Sequence, residues 1–251
     1  MLRLWPERRS AAVFSDRAWL YMGKRLLDEI ALPVGAGRAG PHDAVEALLQ
    51  RHPVAAWKRS GLDLLLSDEM ARIVALPWQD GLRTTVQQLR YAQACLEDVG
   101  VHDASWTVQY GYRRYGRAGI GFAMQTDTLR QLADLAARSQ LLLRSVLPAA
   151  VAAYWRHRPA GGTDSLLILN ETRRVSVLRF AGGSLEGVDL QPIVESAEVA
   201  LRRLLRRVQL QSGAVGSISC WSAVEPQPTR AAVVDCFPNA RLRLLPHGSL
   251  G

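Results

Sequence analysis

Along this chain, short apolar runs broken by polar pairs alternate with longer stretches in which apolar residues recur every three or four positions. From Gly61 to Trp78, GLDLLLSDEMARIVALPW, two apolar runs flank Ser67-Asp68-Glu69. Ser and Asp side chains bond their own backbone in turns, so the pattern predicts a β-hairpin with an ordinary structural turn at Ser67-Asp68. Asp68 and Glu69 read as turn residues rather than as a general acid and base. A weaker copy, Ala11–Met22 AAVFSDRAWLYM, places Ser15-Asp16-Arg17 at its pivot.

A third hairpin is predicted in Trp106–Gln125, with Arg113-Arg114-Tyr115-Gly116-Arg117 at its tip. Helical spacing covers Thr84–Asp98, then Asp127–Leu143 behind a Thr126 N-cap, then Val146–Arg158 around Pro148, and later Ile193–Gln209. Asp43 caps a short helix, Ala44–Arg51, stopped by Pro53. Pro159-Ala-Gly-Gly-Thr163 interrupts the pattern, which then starts again. Strands follow at Ser165–Asn170, Arg174–Phe180, Leu185–Val188, Ser217–Val224 and near Arg241–Leu245, with a loop at 225–230. Hairpins followed by helices, twice over, predict an α/β fold with mixed sheets. Its N-terminal lobe spans 1–158 with an inserted hairpin–helix subdomain, and its C-terminal lobe spans 164–251.

The 251 residues suffice for one large domain or two compact lobes, and 48% hydrophobic with 22% charged residues is an ordinary globular composition. The net charge of +8 is almost all arginine, with lysine only at Lys24 and Lys58. A basic surface attracts acidic partners, polyanions or anionic headgroups. Cys95, Cys220 and Cys236 are far apart, odd in number and without metal-ligand spacing, which predicts free thiols in a reducing compartment. No leader-like segment opens the chain, and the tail HGSLG carries no anchor signal. The best apolar run, Val146–Trp155, is about half the ~20 residues of a spanning helix. The expectation is a soluble, cytoplasmic protein.

Few residues offer chemistry. Gly35-Ala-Gly37-Arg-Ala-Gly40 matches G-x-G-x-x-G, but Pro33 and Pro41 bracket it, which predicts a loop rather than a dinucleotide turn. Nucleophile-elbow, P-loop and zinc-protease motifs do not occur, and the five histidines have no ligand spacing, so neither a catalytic residue nor a metal is expected. Tyr110, Tyr112 and Tyr115 with Arg113, Arg114 and Arg117 form either an exposed basic hairpin tip or a platform for stacking bases. Arg202, Arg203, Arg206 and Arg207 mark a solvated helix face or a docking face for an acidic partner or a membrane surface.

Three stretches, LLLSDEMARIVALPW, GIGFAMQTDTLRQLADLAARSQLLLRSVLPAAVAAYW and LLILNETRRVSVLRFAGGSLEGV, carry a resemblance. Their order resembles the actin-like cytoplasmic domain of type II secretion system protein L (GspL) and its type IV pilus counterpart, assembly protein M (PilM). Ser145-Val146-Leu147-Pro148 is similar to the family's turn before a helix, and the likeness covers most of residues 10–224. It implies a two-lobed actin-like, ribonuclease H-like fold. Actin-like ATPases carry an Asp-x-Gly phosphate turn in each lobe, where glycine lets backbone amides approach phosphate. Here the pivots are Phe14-Ser15-Asp16-Arg17 and Asn170-Glu171-Thr172-Arg173, both without glycine, and Ser219-Cys220-Trp221-Ser222 stands in for a Gly-Gly adenosine turn.

Degenerate pivots at Ser15, Asp16, Asn170, Glu171 and Thr172 imply no nucleotide cofactor and no enzyme activity. The resemblance then implies a cytoplasmic scaffold at the inner membrane of a secretion or pilus machine. It would link inner-membrane components to an assembly ATPase, contacting partners through Arg113, Arg114, Arg117, Arg202, Arg203, Arg206 and Arg207. A homodimer stays open. A nucleotide-binding ATPase of the pilus type and a basic nucleic-acid-binding protein are the alternatives. Protein L continues into a membrane helix, so this chain is either a piece of a longer protein or a free-standing cytosolic partner.

Overall fold

The computed structural model describes residues 8–32, 40–53, 60–157, 164–223 and 229–246. In the first lobe, β1 (Arg8–Val13), β2 (Arg17–Met22) and β3 (Arg25–Ala31) form an antiparallel meander. Helix α1 (Pro41–Arg51) leads to β4 (Ser60–Leu66), which lies parallel to β1 and to β8 (Leu141–Pro148). The sheet order is β3-β2-β1-β4-β8. Between β4 and β8 the chain inserts a 3-10 turn (Asp68–Met70), β5 (Ala71–Leu76), α2 (Thr85–Glu97), β6 (Trp106–Gly111), β7 (Gly119–Gln125) and α3 (Thr126–Arg138). β5, β7 and β6 make a separate three-stranded sheet packed on α2.

After α4 (Ala149–Arg156), the second lobe repeats the first. β9 (Ser165–Asn170), β10 (Arg174–Ala181) and β11 (Ser184–Pro192) form the meander, followed by α5 (Ala197–Gln211), β12 (Ser217–Ser222), α6 (Thr229–Cys236) and β13 (Arg241–Leu244). The order β11-β10-β9-β12-β13 is that of the first sheet, strand for strand. Backbone bonds repeat as well. Ser67 N–H donates to Val13 C=O and Ala223 N–H to Asn170 C=O, both at 2.8 Å. Leu32 N–H donates to Asp16 C=O at 2.7 Å and Ile193 N–H to Arg173 C=O at 2.8 Å.

Alternation splits β9 between two cores. Leu166 and Ile168 face α5 and α6, while Leu167 and Leu169 join the large core that continues through α4 into the first lobe. Helix α5 begins at Ser196, whose hydroxyl accepts from Val199 N–H, and it buries Leu201, Leu204, Leu205 and Val208. Each such leucine, fully buried, contributes roughly 1.5–3 kcal/mol. The β10–β11 hairpin turns on Gly182 (φ 54°) and Gly183 (φ 79°), a pair of left-handed conformations that side chains resist.

Several expectations need correction. Gly61–Trp78 is not a hairpin, because β4 and β5 belong to different sheets. β4 is buried along nearly its whole length, as a central parallel strand requires, and the apolar run LDLLL, broken only by Asp63, is the signal for it. The helix expected over Asp127–Leu143 ends at Arg138, and β8 occupies positions assigned to that helix and the next. α1 starts at Pro41 behind Gly40 rather than at an Asp43 cap; Asp43 sits in the first turn and accepts from Gly40 N–H at 3.2 Å. Ser219–Ser222 lie inside β12, so they cannot replace a turn. Residues 229–230, expected in a loop, open α6. The break Pro159–Thr163 and all of the G-x-G-x-x-G stretch but Gly40 lie outside the described residues.

Candidate functional site

Both meander turns lie at the lobe junction: Phe14 of the first packs on Trp221 of the second lobe, and Glu171 of the second accepts from Ser67 and Asp68 of the first lobe. In the first, Phe14 N–H donates to Arg17 C=O (2.9 Å), which leaves Ser15-Asp16 as the two-residue loop. In the second, Glu171 N–H donates to Arg174 C=O (2.9 Å), which leaves Thr172-Arg173. Glu171 therefore corresponds to Phe14, one position earlier than the alignment of pivots by sequence. Asn170 closes β9, its side-chain amide donating to Ser222 Oγ at 3.3 Å.

Phe14 is 1% exposed, and its ring packs 5.2 Å from Trp19 and 5.6 Å from Trp221, which is itself 1% exposed. Beside this aromatic cluster lies a buried polar knot. The 3-10 turn after β4 presents Ser67 and Asp68 to the second lobe. Ser67 Oγ–H donates to Glu171 Oε2, and Asp68 N–H donates to Glu171 Oε1 at 3.1 Å. Asp68 has no exposed surface. Its carboxylate accepts from Ala150 N–H at the start of α4 (2.8 Å) and from Ser176 Oγ–H on β10 (2.7 Å). Arg174 donates to its carbonyl at 2.7 Å. Ser67-Asp68 is thus a buried pin between three elements rather than an ordinary turn.

Burial pushes the Glu171 carboxyl well above the usual range, and the negative charge of Asp68 pushes it further. Burial also raises Asp68, while Ala150 N–H, Ser176 and Arg174 act in the opposite direction. With more donors around Asp68, the pair holds its proton on Glu171 and its charge on Asp68.

These turns do not fit a nucleotide phosphate. Glycine-free loops keep backbone amides away from an anion, and Glu171 and Asp68 fill the junction with carboxyl groups. The rings of Phe14 and Trp221 occupy the space between the sheets. Asp16 pairs with Arg17 at 2.9 Å, and its other oxygen is buried without a protein partner. Ser15 Oγ and Thr172 Oγ1 are likewise buried and unpaired.

The predicted arginine surfaces divide. Arg113 is half-buried, its guanidinium 3.9 Å above the Tyr154 ring and bonded to His157 C=O at 3.2 Å, so it braces the insertion against α4. Arg114 is exposed, and Arg117 reaches Gly182 C=O at 3.5 Å. On α5, Arg202 pairs with Glu198 (2.8 Å) and Asp235 (3.2 Å), Arg203 with Glu195 (2.9 Å), and Arg207 approaches Asp189 at 4.0 Å. Arg206 is exposed on the same helix. Tyr112 and the highly exposed Tyr115 pack on Trp78 at 5.3 and 4.7 Å, an aromatic cluster that includes a tryptophan outside the predicted tip. His42, Asp43 and Glu46 bring their ligand atoms within 4.8 Å of one another, but Arg138 donates to His42 Nε2 at 3.2 Å and disfavours a cation there. Burial lifts the Cys220 thiol to about 12, which makes it inert.

No family model matches the chain, and neither does any curated protein. Solved structures do. A Bacteroides thetaiotaomicron protein with an actin-like ATPase fold and unknown function aligns over 98% of this chain and 94% of its own, with 10% identity and a TM-score of 0.67. The cytoplasmic domain of EpsL, an inner membrane component of the Vibrio cholerae type II secretion system, aligns over 97% and 92%, with 13% identity and a TM-score of 0.60. The PilM-PilN type IV pilus biogenesis complex aligns over 97% and 89%, with 11% identity and a TM-score of 0.65. None of the described helices is long and apolar enough to cross a membrane. Repeated sheets, paired turns and these likenesses together identify the fold: this chain is an actin-like α/β protein of two lobes.

Proposed function

We propose that this protein is a non-catalytic component of a type II secretion or type IV pilus-type assembly machine. Its actin-like body serves as a scaffold rather than as a nucleotide switch. The closed junction carries this reading: the place where actin-like proteins hold phosphate is packed with Phe14, Trp221 and the Asp68–Glu171 pair. The fold shared with the EpsL cytoplasmic domain and the PilM-PilN complex supports the class of machine. In this role the protein is cytoplasmic and held at the inner membrane through its partners. It joins inner-membrane components to an assembly ATPase, with the exposed arginines of α5 and of the β6–β7 tip as contact surfaces.

Titration calorimetry with Mg-ATP tests the non-catalytic half, and no binding heat is expected. Micromolar binding would overturn it in favour of a nucleotide-binding ATPase. Co-expression with the inner-membrane components and the assembly ATPase of a type II secretion or type IV pilus machine tests the scaffold half. A stable complex supports it, and failure to co-purify with any of them removes it. For the nucleic-acid alternative the hairpin tip offers Arg114, Tyr115 and Arg117 but not Arg113, which is engaged with Tyr154 and His157.

A further inference from the structure

The inner face of the second sheet changes character along its strands. At the junction end, one cross-strand row reads Ser176, Leu169, Trp221, and the last two are buried against the first lobe. Two residues toward the opposite end, the row reads Leu178, Leu167, Ser219, Arg243. The outermost row reads Phe180, Ser165, Ser217, Arg241. Apart from Leu178, these two rows line a groove of about 300 Å³, bounded by His157 at the end of α4.

A packed sheet face excludes hydroxyls unless they are partnered. Here Ser165 is 5% exposed and its Oγ has no protein partner; His157 Nε2 is also buried and unpaired. Arg241 and Arg243 lie on one face of the edge strand β13, two residues apart, and no carboxylate among the described residues pairs with either. Asp164, next to the groove in sequence, instead accepts from Gly182 N–H at 3.2 Å. A groove of this size, with an apolar wall and a few converging polar groups, has the make-up of a small-ligand site. The two arginines set the sign of that ligand, and the Ser165 hydroxyl adds a neutral donor.

We infer that this groove binds a small organic anion. Arg241, Arg243 and the serine hydroxyls hold its phosphate or carboxylate, and its apolar body lies against Phe180 and Leu167. The site lies at the far end of the sheet from the meander turns, so it does not depend on whether nucleotide binds there or on the scaffold role.

The test uses phenyl phosphate, benzoate and inorganic phosphate as probes at fixed ionic strength, followed by calorimetry and by the NMR signals of His157. Saturable binding of phenyl phosphate or benzoate is expected, with the preferred one naming the headgroup. Inorganic phosphate, which lacks the apolar body, binds about tenfold or more weakly. The double variant Arg241→Ser/Arg243→Ser loses about tenfold or more in affinity, while its exposed positions leave the melting temperature unchanged. Ser217→Leu, which fills the groove without touching charge, abolishes binding. The inference is overturned if neither aromatic probe saturates, if inorganic phosphate binds as tightly as they do, or if either variant binds like the parent chain.

Discussion

The ring of Phe14, on the first meander turn, lies 5.6 Å from that of Trp221 on β12 of the second lobe, the two planes inclined at 36°. This contact joins the lobes through apolar packing at the point where their turns converge. Phe14→Ala leaves a cavity lined by Trp19 and Trp221. A loss of about 3–5 kcal/mol is expected, measured by urea denaturation. A loss below about 1 kcal/mol would show that the lobes close without this contact.

The Asp68–Glu171 pair predicts a particular dependence on pH. Glu171 has a raised folded-state pKa, so the native state holds a proton that the unfolded chain releases above about 4.5. Its contribution is favourable below that value and is lost as pH rises toward the folded pKa. The stability difference between Glu171→Gln and the parent chain should therefore shift in favour of the variant between pH 5 and pH 8. A difference independent of pH would mean that Glu171 is ionised in the native state.

Asp68 pins the 3-10 turn to Ala150 N–H and Ser176. Asp68→Ala leaves both donors buried without a partner and should cost about 3 kcal/mol or more. Asp68→Asn retains one acceptor oxygen and should cost less. Equal denaturation midpoints for the two variants would place the stabilisation elsewhere.

Charge reversal at Arg203, Arg206 and Arg207 tests the α5 surface. These side chains are solvated, so Arg→Glu changes at all three should leave the fold intact, at roughly 0.5 kcal/mol or less apiece. Capture of the partner in co-purification should be lost. Unchanged capture by a folded triple variant removes α5 from the interface.

Gln140, at φ 56°, is the only non-glycine residue in the left-handed region among the described residues, and it separates α3 from β8. Gln140→Gly relieves a strain of about 1 kcal/mol, partly offset by greater freedom in the unfolded chain. A small rise in melting temperature is expected, and a clear fall would show that the Gln side chain contributes more than its backbone conformation costs.

That same residue explains one failure of sequence reading. A helix ending in a left-handed residue is ordinarily marked by glycine. With Gln140 there instead, the apolar spacing of α3 runs on into β8, and the pattern predicts helix at both ends of that strand, over 141–143 and 146–148. The hairpin assigned to Gly61–Trp78 failed for a different reason. Local pattern identifies two strands and a turn, but not which strands they pair with, and β4 finds its neighbours in β1 and β8. The hairpins at Ala11–Met22 and Trp106–Gln125 were legible because their partners are adjacent in sequence.

The sequence by itself determined the α/β alternation, the doubled order of hairpins and helices, the apolar face of α5, and the absence of glycine from both meander turns. All of these rest on spacing and residue type within some ten or twenty positions. Only the tertiary structure decided that Glu171 holds in the second turn the position of Phe14 in the first, that Asp68 is buried between lobes, and that serines and arginines from β9, β12 and β13 share one groove. Those groups are separated by long stretches of chain, and only backbone register brings them together. Once there, the loss of water sets their charge and their partners.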